Sequence, residues 1–401
     1  MVEWKRLHSI VNSISTGLNP RQNFVLNEEN ASCYYVTVKE ITSNRIVFSD
    51  STDKISNDAK WIINKRSRLS KGDILFSGIG TIGKVAYVDM PTNNWDCSES
   101  IFLIKPDDRI VNGKYLSYVL SSDIVKKQYE RYAAGAIMKG VRNDTLERIQ
   151  IPIPSPSEQE RIVGILDTFT SSIENLKERI KVRKKQYEYC LDNLYFPNKN
   201  VLLKMKVKGS HDIKSFDEIG KFIRGRRFVR TDIVEEGVPC IHYGDMYTYY
   251  GVSASKTPTY LTEETASRLR FAHKGDVVIV AAGENDIDIG VGVAWLGDED
   301  VVVHDACFIF EHNQHPKYIS YFLRSNNYHQ QIRMGVVDGK ICSISAKELG
   351  RTLIHVPSLQ EQHRIVSILD TFESSISNLD AQLKQREKQY EYYRNRLLTF
   401  G

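Results

Sequence analysis

The amino-acid sequence predicts an α+β fold that is built as a tandem repeat: a globule, a long helix, a second globule and a second long helix. Residues 158–194 reappear as residues 361–397, with 23 of 37 positions identical at an offset of 203 residues. Before each copy, short alternating runs of β-branched and aromatic residues indicate strands, and one amphipathic helix follows them. We expect the two long helices to pack as an antiparallel coiled coil, with a pseudo-twofold axis relating the two halves.

The repeat extends into the globules. Lys71-Gly72-Asp73 matches Lys274-Gly275-Asp276, and residues 114–122 match residues 317–325 at the same offset. Two units of about 200 residues suit the usual size of a domain. The predicted boundaries are globule one over residues 1–153, a helical spacer and linker over 154–208, globule two over 209–356 and a second helical spacer over 357–401.

Each long helix carries an apolar stripe at alternating steps of four and three residues, which is typical of a coiled-coil seam. Ser155–Glu158 and Ser358–Glu361 match the capping box that begins many helices. Pro197 is expected to end the first helix. The predicted seam residues are Ile162, Leu166, Phe169, Ile173, Leu176 and Ile180 in the first helix, and Ile365, Leu369, Phe372, Ile376, Leu379 and Leu383 in the second.

The length of these helices suggests a spacer. A helix of about 37 residues is about 55 Å long, which corresponds to roughly 16 base pairs of duplex DNA. An antiparallel pair would also match the twofold symmetry of a duplex. The alternative, in which each helix packs only on its own globule, is disfavoured because two apolar stripes in one chain can bury each other.

A glycine-rich segment, Gly78–Lys84, satisfies the GxGxxG spacing and nearly that of a P-loop. A P-loop requires Ser or Thr after the lysine, and Val85 stands there. Both phosphate-binding patterns also need a following helix, whereas Val85–Val88 indicates a strand. The segment is therefore interpreted as a hairpin loop that approaches another surface, such as a DNA backbone.

The sequence offers little for catalysis. Its six cysteines have no metal-ligand spacing, and there is no HExxH or GxSxG pattern. The histidines of the second half, among them His242 and His304, are expected to be surface residues or structurally bonded. The N-terminus lacks an apolar signal core and no run approaches the roughly 18 apolar residues of a membrane span, so we expect a cytoplasmic protein with reduced thiols.

The net charge of +4 is only weakly basic, but basic and aromatic residues cluster locally in both globules. Arginine can bridge guanine O6 and N7 or hold a phosphate, and tyrosine can bond a phosphate. A solvated charged face is the alternative for each cluster. The predicted DNA-binding residues are Arg21, Asn23, Lys60, Lys65, Arg66, Lys84, Lys139 and Arg142 in globule one, and Arg224, Arg226, Arg227, Tyr247, Tyr249, Lys256 and Lys340 in globule two.

Over nearly its whole length the chain resembles the specificity subunits of type I restriction–modification systems. The resemblance rests on the duplicated Pro-x-x-x-Glu-Gln-x-Arg-Ile-Val-x-Ile-Leu-Asp-Thr-Phe segment, on the Lys-Gly-Asp strands and on Gly237–Asp245. It implies that the globules are target-recognition domains, that each reads one half of a bipartite DNA site, and that the helices set the spacing between the halves.

The resemblance further implies a non-catalytic subunit without a cofactor of its own. It implies docking of two methyltransferase subunits, which bring S-adenosylmethionine and methylate adenine N6, and of motor–nuclease subunits, which bring ATP and Mg²⁺. Two alternatives stay open. One is a stand-alone DNA methyltransferase that binds S-adenosylmethionine at Phe76–Gly83, although the chain lacks an Asn/Asp-Pro-Pro-aromatic motif. The other is a coiled-coil scaffold that does not contact DNA.

Overall fold

The computed structural model describes residues 2–21, 23–133, 140–195, 212–284, 286–337 and 339–400. It divides into two compact units: unit 1 is Met1–Lys177 with Ala381–Gly401, and unit 2 is Glu178–Asp380. Each unit therefore contains one globule, the start of the long helix that follows it and the end of the other long helix. Within the described part of the chain, no helix is long and apolar enough to cross a bilayer.

Unit 1 is a mixed α and β globule. Its strands are β1 (Glu3–Arg6), β2 (Val11–Thr16), β3 (Cys33–Val36), β4 (Ile41–Thr42), β5 (Arg45–Ile46), β6 (Lys54–Ile55), β7 (Ile74–Ser77), β8 (Val85–Tyr87), β9 (Trp95–Cys97), β10 (Ile101–Pro106) and β11 (Gln150–Ile153). Its helices are α1 (Asn57–Arg66), α2 (Gly113–Leu120), α3 (Asp123–Ala133), α4 (Asn143–Glu147) and the first part of α5 (Pro156–Tyr195). The main sheet is antiparallel, in the order β2-β10-β7-β8.

Both faces of the main sheet in unit 1 are buried, which explains its continuous apolar strands. Along β10, Ile101 and Leu103 pack into a cluster with Trp95, whereas Phe102 and Ile104 pack on the side of the largely buried α2. This alternation follows from the two-residue period of a strand. The Trp95 side is covered by β3, which pairs with β6 and, in parallel, with β9.

Unit 2 repeats this plan with more strands. They are β12 (Ile213–Ser215), β13 (Gly220–Arg224), β14 (Ile233–Val234), β15 (Val238–Ile241), β16 (Ser253–Ala254), β17 (Thr259–Leu261), β18 (Phe271–Ala272), β19 (Val277–Val280), β20 (Ala282–Gly283), β21 (Gly292–Trp295), β22 (Val301–Val303), β23 (Cys307–His312), β24 (Cys342–Ser343) and β25 (Leu353–His355). The helices are α6 (Phe216–Ile219), α7 (Asp245–Thr248), α8 (Glu263–Ala266), α9 (Pro316–Phe322), α10 (Asn326–Ile332), α11 (Ala346–Gly350) and α12 (Leu359–Leu398).

The two globules share a topology although their sequences have diverged. The order β13-β23-β19-β21 in unit 2 corresponds to β2-β10-β7-β8 in unit 1. The helices α9, α10 and α11 begin at or next to the positions that lie 203 residues after the starts of α2, α3 and α4. A second sheet of unit 2, in the order β14-β17-β15-β22-β18, carries the additional strands.

The long helices α5 and α12 have 40 residues each and confirm the predicted helical repeat. The Glu158 amide donates to Ser155 Oγ at 3.4 Å, as a capping serine requires. The predicted capping box is only half formed, because the Glu158 carboxylate accepts two hydrogen bonds from Arg161 instead. The second helix repeats both features at Ser358 and Glu361. Pro197 lies outside the described residues.

In unit 1 the two helices pack antiparallel. Phe169 stacks on Tyr393 with ring centroids 5.3 Å apart, and further along α5 Lys177 Nζ lies 3.3 Å from Glu387 Oε1. Higher numbers in α5 therefore meet lower numbers in α12. The Arg386 guanidinium, which interrupts the predicted apolar stripe, lies 5.6 Å from the centre of the Phe169 ring, a cation–π distance.

Unit 2 contains the corresponding contacts. The Arg183 guanidinium lies 5.6 Å from the centre of the Phe372 ring, and Tyr187 packs near the same ring. The two arginines that break the stripes thus cover phenylalanines of the opposite helix. All twelve predicted seam residues are buried or half-buried.

The ends of the seam pack into the globules, which the prediction of a pure helix–helix contact did not include. Ile162 and Leu166 belong to the core of globule one together with Leu398, the last residue of α12. In unit 2, Ile365 and Leu369 belong to the core of globule two together with Leu191 and Tyr195 from the end of α5. Each globule is thus completed by both long helices.

Candidate nucleic-acid interface

In unit 1, helix α1 carries basic side chains on its outer face. Ser56 Oγ caps the helix by accepting from the Ala59 amide at 3.2 Å, and Ala59 and Ile63 bury the inner face. The outer face borders a concavity of about 660 Å³ that is lined in part by Lys60, Trp61, Asn64, Lys65 and Arg68. Trp61 is 61% exposed, and Lys65 Nζ lies 3.4 Å from the centre of its ring. An exposed indole among cations can stack on a base or sugar beside bound phosphates.

The predicted residues Arg21, Asn23 and Arg66 meet on the other side of α1. They line a smaller concavity of about 370 Å³ together with Asn19 and Glu99. Arg66 donates to Thr16 Oγ1 at 3.1 Å, which orients its guanidinium, and Asn23 Nδ2 donates to the Asn19 carbonyl at 2.9 Å. The structure therefore gathers five of the predicted residues around one helix, in two neighbouring surfaces.

The glycine-rich segment is a hairpin, as predicted, because β8 follows it antiparallel to β7. At Gly80, with φ 79°, a Cβ would meet no atom within 4 Å, whereas a Cβ on Gly83 would lie 2.2 Å from the Tyr129 hydroxyl. Gly83 thus allows close packing against α3. Lys84 Nζ donates to the Val38 carbonyl at 3.0 Å, so this lysine is tied to the backbone. Arg142 is exposed before α4, and Lys139 lies outside the described residues.

In unit 2 the predicted arginines Arg224, Arg226 and Arg227 are all exposed. Arg224 Nε donates to the Asp305 carbonyl at 2.8 Å, and Arg226 Nη1 donates to the Arg268 carbonyl at 2.8 Å. Each of these two guanidinium groups retains further N–H donors for a ligand. Gly225 permits the close approach of this segment to the backbone of His304, since a Cβ there would lie 2.2 Å from the His304 carbonyl oxygen.

Two arginines that sequence reasoning missed join this group. Arg270 Nη1 donates to the Arg224 carbonyl, and Arg268 supplies the carbonyl that holds Arg226; both side chains are exposed. They come from the segment before β18, more than 40 residues along the chain. Only the short Arg-Leu-Arg spacing at 268–270 could have drawn attention to them.

A concavity of about 490 Å³ lies beside this arginine cluster and is lined in part by Tyr243, Gly283, Glu284, His304 and Lys340. The His304 Nδ1 accepts from the Ala306 amide at 3.1 Å, so its Nε2 at 3.1 Å from the Phe228 carbonyl is the donor of a neutral ring. Burial lowers the pKa of both His304 and His242, whose rings are 5.0 Å apart. These histidines are structurally bonded, as expected.

Of the remaining predicted residues in unit 2, Tyr247 lies next to this concavity. A Cβ on Gly283 would lie 2.7 Å from its hydroxyl, and burial raises the pKa of Tyr247, so the hydroxyl stays protonated. Tyr249 is 56% exposed and contacts Tyr250 edge-on. Tyr249 and Lys256 are exposed and are not among the residues lining this surface.

The chain matches the family described as "Type I restriction modification DNA specificity domain" over residues 1–183 and 211–387. It is 30% identical over 312 residues to the EcoR124I/EcoR124II specificity subunit of Escherichia coli, covering 73% of this chain and 72% of that protein. It is 23% identical over 372 residues to the MjaVIII specificity subunit of Methanocaldococcus jannaschii, covering 86% and 83%.

Two solved structures share the fold. The type I restriction–modification S subunit from M. genitalium superposes with a TM-score of 0.56 at 16% identity, covering 100% of this chain and 97% of that chain. A chain from a structural study of assembly and conformational transition in a type I system gives 0.59 at 16% identity, with 99% and 96% covered. From these sequence and structural matches, this chain belongs to the family of type I restriction–modification specificity subunits, the proteins that recognise the DNA target.

Proposed function

We propose that each globule reads one half of a bipartite DNA target and that the paired helices set the spacing between the half-sites. The observation that carries this proposal is that the contacts joining each globule to its long helix are repeated, whereas the proposed DNA-reading surfaces of the two globules differ. In unit 1, Asp167 of α5 accepts hydrogen bonds from Tyr118 at 2.6 Å and Lys114 at 2.7 Å. In unit 2, Asp370 of α12 accepts them from Tyr321 and Lys317.

A second contact between each globule and the long helix that follows it also repeats. The Gln159 side chain accepts from the Asn112 amide at 2.8 Å, and Gln362 accepts from the His315 amide at 2.9 Å. Gln159 and Gln362 are buried. The same residue types thus hold each globule on the start of its helix.

The surfaces proposed as readers differ in chemistry. Globule one presents lysines around an exposed tryptophan, together with Arg21 and Arg66. Globule two presents an arginine cluster beside tyrosines and neutral histidines. Base recognition depends on the placement of donors and acceptors in the groove. Because these placements differ, the two half-sites should have different sequences.

Catalysis and cofactors belong, in this proposal, to partner subunits: methyltransferases that carry S-adenosylmethionine and methylate adenine N6, and motor–nucleases that carry ATP and Mg²⁺. Two methyltransferase subunits would dock on the specificity subunit. What supports a non-catalytic chain is that strand β8 follows the Gly78–Lys84 loop, where a phosphate site would need a helix N-terminus.

The test is an exchange of residues 2–153 for the corresponding segment of another family member. Lys114 and Tyr118 are kept so that their hydrogen bonds to Asp167 are retained. Methylome sequencing of a host that expresses the partner subunits should show one altered half-site and one unaltered half-site. A change in both halves would contradict independent reading.

Two further assays address the alternatives. Tight binding of S-adenosylmethionine by the purified chain alone would support a stand-alone methyltransferase, and failure to shift any duplex at low salt would support a scaffold.

A further inference from the structure

At one position beside the helix seam, the charges carried by the two long helices are exchanged between the two halves of the chain. In unit 1, Lys177 of α5 lies 3.3 Å from Glu387 of α12. The 203-residue repeat maps Lys177 onto Asp380 and Glu387 onto Lys184. The register is the same in both units, since the Arg386–Phe169 and Arg183–Phe372 distances are both 5.6 Å. The equivalent residues of unit 2, Lys184 and Asp380, therefore also carry opposite charges with acid and base exchanged, although among the described residues only the unit 1 pair is a close ion pair.

A second pair shows the same exchange where a helix end meets a globule. In unit 2, the backbone and side-chain amides of Asn326 both donate to the Asp192 carboxylate at 2.9 Å. In unit 1, Asn395 Nδ2 donates to Asp123 Oδ2 at 2.7 Å. The repeat maps Asp192 onto Asn395 and Asp123 onto Asn326. The helix thus supplies the acid in one unit and the amide in the other.

These exchanges have a consequence for pairing of identical halves. If two copies of the N-terminal half paired in the register seen here, Lys177 would face Lys184, and Asp192 would face Asp123. If two copies of the C-terminal half did so, Asp380 would face Glu387. These three contacts join like charges, and two C-terminal halves would also place Asn395 opposite Asn326, a contact without charge. Pairing of the two different halves instead joins opposite charges or an acid with an amide.

The apolar seam cannot make this distinction. The predicted seam residues at equivalent positions of the repeat are identical, as Phe169 and Phe372 are, except that Ile180 corresponds to Leu383. An apolar stripe of this kind accepts either helix as its partner. Selectivity must therefore come from the polar contacts beside the seam, as it does in coiled coils whose flanking charges select the partner.

We propose that these exchanged pairs form a charge code for pairing: each half of the subunit accepts the complementary half, from the same chain or from a second copy, and rejects a copy of itself. The code would keep two different readers together in every assembled subunit. It is independent of DNA reading by either globule, because none of its residues lines the concave surfaces described above.

The test uses the full chain with a specific protease sequence inserted within residues 196–211, between α5 and globule two. After cleavage, isotopically labelled and unlabelled proteins are mixed at low salt until labelled and unlabelled pieces have exchanged. Native mass spectrometry then counts mixed (N·C) and identical (N·N and C·C) pairs. We expect the ratio of mixed to identical pairs to exceed the random value by about tenfold or more, and to fall in 1 M NaCl because exposed ion pairs are screened.

The decisive variant combines Lys177→Glu with Glu387→Lys. It keeps an opposite-charge contact in the mixed pair but makes both kinds of identical pair attractive, so the ratio should fall by about tenfold toward random. Adding Asp192→Asn should lower this ratio further.

The matched control, Lys185→Glu with Glu391→Lys, makes the same charge changes at exposed positions of the two helices and should leave the ratio unchanged. Random pairing in the parent, or an unchanged ratio in the decisive variant, would overturn the proposal.

Discussion

The Tyr118 hydroxyl donates a hydrogen bond to Asp167 Oδ1 over 2.6 Å, and this bond joins helix α2 of globule one to the first part of α5. Tyr118 is only 1% exposed. Burial, and then the bond to Asp167, raise the pKa of Tyr118, so the hydroxyl remains a donor at any ordinary pH. The ring and the hydroxyl together fix the direction in which the globule leaves the helix.

Tyr118→Phe should weaken unit 1 while retaining the packing of the ring. A hydrogen bond to a charged group contributes about 1.5–3 kcal/mol, and Lys114 still neutralises Asp167, so we expect a loss of about 1.5 kcal/mol. Tyr321→Phe is the matched variant in unit 2. Urea unfolding followed through Trp95 or through Trp295, each kept as the sole tryptophan, reports on one unit at a time. Equal effects of both variants on both probes would contradict this local role.

Leu398→Ala should destabilise globule one although it lies near the other end of the chain. Leu398 is fully buried in a cluster with Ile162 and Leu166. Removal of a buried leucine side chain typically costs about 2–5 kcal/mol. Hydrogen exchange should accelerate in β7 and β10 of unit 1 and stay unchanged in β19 and β23 of unit 2.

A control for this effect is Arg396→Ala, which changes an exposed residue of the same helix end. It should leave exchange in β7 and β10 as in the parent. If Leu398→Ala accelerated exchange in both units equally, the end of α12 would not be a specific part of the core of globule one.

The long helices could be predicted from the sequence because a heptad is a local pattern, and its repetition at an offset of 203 residues strengthens the signal. The packing of Leu398 and Tyr195 into the globules could not be predicted, since nothing in a local period specifies a contact with residues more than a hundred positions away. The capping boxes were predicted in full but formed in half, because Arg161 competes for the Glu158 carboxylate.

The same limit applies to the candidate interface. Arg224, Arg226 and Arg227 were found because they are neighbours in sequence. Arg268 and Arg270 join them through backbone hydrogen bonds across a fold that no short spacing encodes. Local clustering therefore identified the centre of this surface and missed its edge.

The arginine cluster of unit 2 should separate into base-reading and phosphate-binding residues. Alanine at a base-reading arginine should cost about 1–3 kcal/mol on the cognate half-site only, and alanine at a phosphate-binding one should weaken cognate and random DNA alike and lower the salt slope by about one. Three arginines within four positions cannot all reach bases from one loop, so at least one should behave in the second way. The measurement is DNA affinity of each single variant as a function of salt.

Arg351→Ala is a suitable control, because Arg351 is exposed and pairs locally with Glu348. It should bind DNA like the parent. If Arg224→Ala, Arg226→Ala and Arg227→Ala also did so, with unchanged salt dependence, the cluster would be a solvated face and not part of the interface.

The stability of unit 1 should depend on Asp96. This side chain is fully buried, its Oδ2 has no hydrogen-bond partner among the described residues, and burial raises its pKa to about 7. An unfolded aspartate titrates near 3.9, so between about pH 4 and pH 7 the folded state holds the extra proton. Stability from this group is therefore present at low pH and is lost as pH rises through 7.

Asp96→Asn removes this titration. The stability of the variant relative to the parent should rise by ~4 kcal/mol between pH 4 and pH 8, in proportion to the shift in pKa. Urea unfolding with Trp95 as the probe at several pH values provides the measurement, and Trp295 in unit 2 provides the control. A difference between variant and parent that is independent of pH would show that Asp96 is not titrating in this range.

If the paired helices act as a ruler, the length of the recognised spacer should follow the length of the helices. Seven residues inserted after Ile180, with seven more after Leu383, add one heptad to both helices where they face each other. The seam and the Arg386–Phe169 and Arg183–Phe372 contacts on either side of the insertion can then be kept. Each helix gains about 10 Å, so the methylated motif should gain roughly three base pairs between its half-sites. Seven residues inserted in α5 alone leave the seam mismatched and should abolish modification. An unchanged spacer with the double insertion would mean that the distance between half-sites is set by something other than these helices.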